Sequence, residues 1–154
     1  QAPEIGLRTW RDVEARLDMP VVADTAAAPQ GEAPDGFDWA PESWMAHDTV
    51  AAKRAVIGTY YPDHVVFLGP ALPTRDHDGT PPAILMDGAG VALRQGATES
   101  QKAMLKCVSD VLSRLPPDWS LDPIGPEAEA ELLNWDAEKY RPALAPRGCA
   151  CALA

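Results

Sequence analysis

At 154 residues, 46% of them hydrophobic, the chain is long enough for one domain with a sizeable core. A formal net charge of −10 argues against nucleic acid and anionic membrane surfaces as partners, because both need clustered Lys and Arg. Sixteen prolines exceed ordinary usage and predict long loops or an unstructured segment.

No stretch approaches the roughly 20 apolar residues of a membrane-spanning helix. The residues from Gln1 onward lack the apolar region of a signal peptide. Cys107, Cys149 and Cys151 make an odd number of thiols, so a reduced, cytoplasmic setting is expected. A start at Gln rather than Met suggests a piece of a longer protein.

Taken in order, residues 3–17 read as a helix. Leu7, Trp10, Val13 and Leu17 form one stripe, and Glu4–Arg8 and Asp12–Arg16 are acid-before-base pairs. From Asp24 to about Pro41, alanine, proline, glycine and acids leave little to bury, which predicts a mobile linker. Phe37, Trp39 and Trp44 mark where it re-docks. A helical segment follows from Pro41 to about Ala55, with acids early and Lys53 and Arg54 late, as the helix dipole favours.

Val65-Val66-Phe67-Leu68 is a short apolar run bounded by Pro62 and Gly69-Pro70, and it reads as a strand buried on both faces. Ala83–Asp87 and Val91–Gln95 flank Gly88-Ala89-Gly90 and predict a β-hairpin. Thr98 and Gln101 have capping-box spacing at the head of a helix running to Leu115, stopped by Pro116-Pro117. A last helix is expected from Pro126 through Leu132, Leu133 and Trp135 to Tyr140. The fold class is therefore α/β or α+β, a small mixed sheet with a hairpin covered by amphipathic helices. The expected organisation is a leading helix (1–20), a linker (21–43), a compact domain (44–142) and a disordered tail (143–154).

Few residues declare chemistry. His47, His64 and His77, with Asp63, Asp76 and Asp78 nearby, lack the paired spacing of a zinc site, so His47 reads as a helix-surface residue and His77 as a loop residue. Asp63-His64, at the mouth of the expected strand, could supply a carboxylate and an imidazole, or could simply cap a turn. Cys149-Ala150-Cys151 is weak evidence for redox or metal chemistry. Gly88-Ala89-Gly90 has no helix or Lys-Ser/Thr after it, so a hairpin explains it better than a phosphate loop.

Two stretches resemble a known family. Tyr61-Pro62-Asp63-His64-Val65-Val66-Phe67-Leu68-Gly69-Pro70 and Leu133-Asn134-Trp135-Asp136-Ala137-Glu138-Lys139-Tyr140-Arg141 look like the C-terminal half of bacterial class II aldolase/adducin-family proteins. Glu14-Ala15-Arg16-Leu17-Asp18-Met19-Pro20 resembles the helix end that follows their aldolase domain, and the order of the later parts agrees. The resemblance implies an accessory domain of a lyase acting on a sugar-phosphate or hydroxy-carbonyl substrate, inactive alone. Its partner would be an upstream aldolase domain or a separate aldolase subunit, within a homo-oligomer. The zinc of that family, a Lewis acid on a carbonyl, belongs to the aldolase domain, and no histidine here matches its ligands. Asp63, His64 and Arg141 are the candidate site residues. The alternative is a non-catalytic interaction or ligand-binding module of the adducin-like type.

Overall fold

A computed structural model describes residues 3–70, 72 and 79–135 of the chain. In order these form β1 (Glu4–Gly6), α1 (Trp10–Leu17), β2 (Phe37–Trp39), a 3-10 helix (Pro41–Ala46), α2 (Thr49–Ile57) and α3 (Pro62–Leu68). There follow β3 (Ala83–Met86), β4 (Gly90–Arg94), α4 (Glu99–Leu112), β5 (Ser120–Asp122) and α5 (Pro126–Asn134). The class is α+β. One sheet is antiparallel in the order β2-β4-β3, and a second is the parallel pair β1-β5.

The hairpin forms as its glycine turn predicts, with Met86 opposite Gly90 and Ile84 opposite Ala92. Alternation along its strands sorts the side chains between two faces. Leu85 and Val91 join the main core, while Ile84, Met86 and Ala92 meet Phe37 on the other side. Gly90 is fixed by what lies above it. A Cβ there would sit 2.9 Å from Ser43 Oγ and 2.9 Å from a Trp39 ring carbon. Ser43 cannot yield, because its hydroxyl donates to Ala40 O (2.7 Å) and accepts from Val91 N (3.0 Å). Gly90→Ala should therefore destabilise the chain by about 2 kcal/mol, the scale of overpacking, as read by a urea titration.

The long helix α4 is also as expected. Thr98 and Gln101 form a reciprocal capping box, with Thr98 N donating to Gln101 Oε1 at 2.9 Å and Gln101 N to Thr98 Oγ1 at 3.1 Å. Met104, Leu105, Val108, Val111 and Leu112 form its buried stripe. Helices α1 and α3 both pack on it.

The largest correction concerns Val65–Leu68, which is the body of helix α3 rather than a strand. Pro62 occupies the first turn, where its missing N–H costs nothing, and Tyr61 before it is extended. Gly69, at φ 85°, ends the helix in a backbone region that side-chain-bearing residues avoid. The helix is buried nearly all round between α4 and α5, so its apolar residues are consecutive rather than periodic. A short run of that kind looks the same in a buried helix and a buried strand. The sheet's third strand is β2 instead.

The N-terminal expectation also changes. Residues 4–6 pair in parallel register with Ser120–Asp122, and only from Trp10 does the chain become helical. Thr9 caps α1 by a capping box with Asp12. Leu7 and Val13 are buried, but Trp10 is 54% exposed and leaves the expected stripe. The segment is thus built into the core rather than loosely attached.

Residues read as a linker run along the body of the domain. Val22 N and Ala23 N donate to Ser113 O, Gln30 N donates to Ala89 O, and Trp39 Nε1 donates to Gly31 O. Phe37–Trp39 then completes the sheet beside β4. The expected run of α5 to Tyr140 lies partly outside the described residues, which end at Trp135.

Candidate functional site

The candidate residues Asp63 and His64 lie in the first turn of α3, behind the segment Thr59-Tyr60-Tyr61. Three anchors hold this segment. Thr59 Oγ1 donates to the buried carboxylate of Glu129 on α5 at 2.6 Å, and Thr59 N reaches the same oxygen at 3.3 Å. The Tyr60 hydroxyl donates to Arg54 O at 2.6 Å. Pro62 then starts α3, whose first fully buried side chain is His64.

His64 is wholly buried, and neither ring nitrogen has a hydrogen-bond partner. Its surroundings are aromatic, with the Tyr61 ring centroid 5.4 Å and the Tyr60 centroid 6.2 Å away. Burial away from any compensating charge pulls its pKa down to about 3, so the imidazole is neutral at physiological pH. Asp63 is half-buried at the positive end of the helix, as suits a carboxylate there.

The neighbouring groups are held in their neutral forms as well. Burial raises the Tyr60 and Tyr61 phenols well above their ordinary range. Burial also pushes up the Cys107 thiol, which faces the Tyr61 hydroxyl without meeting it in hydrogen-bonding geometry. A general base must reach its substrate, and a cysteine nucleophile must ionise. This cluster does neither: it is a polar knot in the core that orients α3 against α4 and α5.

The other candidates separate. His47 follows the 3-10 helix, half-buried with an unpartnered Nε2, rather than lying on a helix surface. Arg141, His77, Asp76, Asp78, Cys149 and Cys151 lie outside the described residues. Among the described residues, no three His, Cys, Asp or Glu side chains group as a metal would require. The His, Cys, Asp and Glu donors among the described residues do not fit a zinc ion.

Two buried charges escaped the sequence reading. The Arg54 guanidinium donates to Leu115 O (3.2 Å), Pro116 O (2.8 Å) and Trp119 O (2.5 Å), tying α2 to the turn after α4. Burial lowers its pKa, but a guanidinium remains charged. Glu129 is the other. Both were visible only as ordinary helix-end charges, because their partners are backbone carbonyls or residues 70 positions away.

Outside this knot the surface near α3 holds a groove of about 330 Å³ lined by Arg8, Pro62, Ile124, Glu131, Leu132 and Trp135. Trp135 is 65% exposed beside it. Arg8 crosses its edge to Asp122 at 2.7 Å. No helix among the described residues is long and apolar enough to cross a membrane. No known protein family, curated protein or solved structure matches this chain.

Proposed function

We propose that the chain is an accessory, non-catalytic domain of a class II aldolase-like lyase acting on a sugar-phosphate or hydroxy-carbonyl substrate. The reading rests on the resemblance of Tyr61–Pro70 and Leu133–Arg141 to that family's C-terminal region. One observation supports the accessory role in particular: His64, the best catalytic candidate, is sealed in the core as a neutral ring with no hydrogen-bond partner. The segment carrying the resemblance thus does a packing job, and chemistry would come from a zinc-bearing aldolase unit. In that arrangement the domain is cytoplasmic and contributes contacts within a homo-oligomer.

The exposed Trp10 and Trp135 favour a related alternative, an adducin-like interaction module that docks on a partner without serving a lyase. Both readings are tested by combining the chain with a zinc-loaded aldolase unit from the same source. Release of triose phosphate from ketose 1-phosphates is followed alongside co-elution on size exclusion. The lyase reading expects no release by the chain alone, co-elution, and a changed rate in the mixture that His64→Leu preserves. Release by the chain alone would contradict both readings, and failure to co-elute would leave only the interaction module.

A further inference from the structure

A second groove, of about 520 Å³, lies between the β2–β4 edge and helix α4. Its volume falls in the range of small-molecule sites. Leu93, Ala103 and Leu105 give it apolar walls, Trp39 lines one side, and Glu42 projects from the start of the 3-10 helix.

The charges around it are unevenly satisfied. Lys102 pairs with Glu99 at 2.9 Å and Lys106 with Asp110 at 2.5 Å. Arg94 Nε donates to Pro81 O at 3.0 Å, and its guanidinium lies 4.6 Å over the Phe37 ring. Asp38 accepts from Gln95 Nε2 at 3.2 Å. Trp39 Nε1 is engaged by Gly31 O. Glu42 stands apart: among the described residues its half-buried carboxyl has no side-chain hydrogen bond or ion pair, only its own amide and the opposed, more distant fields of Lys106 and Asp110. Burial accordingly raises its pKa. A half-buried carboxylate beside aliphatic walls gains from a cation that brings its own apolar body, because the charge is met and the walls are covered together.

We infer that this groove binds a small organic cation, an ammonium group carried on an apolar frame, with Glu42 as its counter-ion. The site stands independently of any lyase role and would survive the failure of that reading.

Benzylamine and its neutral analogue benzyl alcohol are suitable probes, titrated at pH 7.5 and low salt against the full chain by two-dimensional NMR. Benzylamine should bind about tenfold more tightly than benzyl alcohol, the ratio expected for one additional charge contact. Shifts should centre on Trp39, Leu93 and Ala103. Glu42→Gln should remove the preference for the amine while preserving the weak binding of the alcohol. Glu99→Gln should preserve that preference to within twofold. Ala103→Trp, placed on the exposed face of α4, should fill the groove and abolish binding of both probes. Equal binding of the two probes by the wild type, an unchanged amine preference in Glu42→Gln, or shifts centred elsewhere would overturn the assignment. Matching amide spectra of the free variants keep a folding defect from imitating a loss of binding.

Discussion

Lowering the pH from 7.5 to 5 should cost the wild-type chain about 2 kcal/mol more unfolding free energy than it costs a His64→Leu variant. The folded chain holds His64 at a pKa of about 3, against 6.5 for an ordinary histidine. A histidine kept neutral by burial binds fewer protons folded than unfolded. Its contribution to stability is therefore fully present above about pH 6.5 and is lost as the pH falls from there toward 3. Each pH unit inside that window is worth about 1.4 kcal/mol, and pH 5 lies roughly one and a half units into it. Leucine fills a similar volume, suits a helix, and removes two buried nitrogens that have no partner. The variant should also be about 1 kcal/mol more stable than the wild type at pH 7.5. Urea titrations at the two pH values check both expectations. Parallel losses in the two proteins would mean that His64 is solvated or paired.

Arg54→Met should destabilise the chain by about 3 kcal/mol at pH 7, the largest effect expected of any change away from the apolar core. Methionine preserves much of the aliphatic stem, so the loss reports mainly on the guanidinium. Its removal strips Leu115 O at a buried position, and Pro116 O and Trp119 O at part-buried ones, of their donor. Those carbonyls belong to the turn that carries the chain from α4 to β5, and β5 in turn holds β1. Arg54→Lys should recover about half of the loss, because a compact ammonium cannot reach three diverging carbonyls as a planar guanidinium does. Urea denaturation of the three proteins tests this series. Full rescue by lysine would show that charge alone, rather than the fork geometry, matters here.

These effects separate what the sequence made legible from what it hid. Elements set by local chemistry were readable: the glycine turn at 88–90 forms its hairpin, and Thr98 with Gln101 starts α4 where their spacing says it should. Pro126 also opens α5. Elements set by distant partners were not. Glu4–Gly6 and Ser120–Asp122 become strands only by pairing with each other, and neither three-residue stretch carries a period of its own. Phe37 and Trp39 marked where the linker re-docks, but that the segment is a strand was hidden because its value lies in completing β4's edge.

Tertiary burial likewise decided α3. His64, Val65 and Leu68 are buried together on a helical turn, and Val66 is buried beside them, so a seven-residue helix imitated the continuous apolar run of an inner strand. The site inherited that error. An Asp-His pair at a strand mouth suggests a working acid and base, whereas in a helix packed between α4 and α5 the imidazole points into the core. Burial of Arg54, Glu129 and the half-buried Glu42 could not be read from composition, since each looked like a surface charge at a helix end.

The measurement bearing most directly on a structural rather than catalytic His64 is its own titration, followed by the ring nitrogen and carbon shifts of imidazole-labelled protein from pH 7.5 to 4.5. With the ring sealed among Tyr60, Tyr61 and α4, its signals should stay those of one neutral tautomer across the whole range. A titration midpoint near 6.5, or exchange between tautomers with solvent, would place His64 at an open surface and contradict the account.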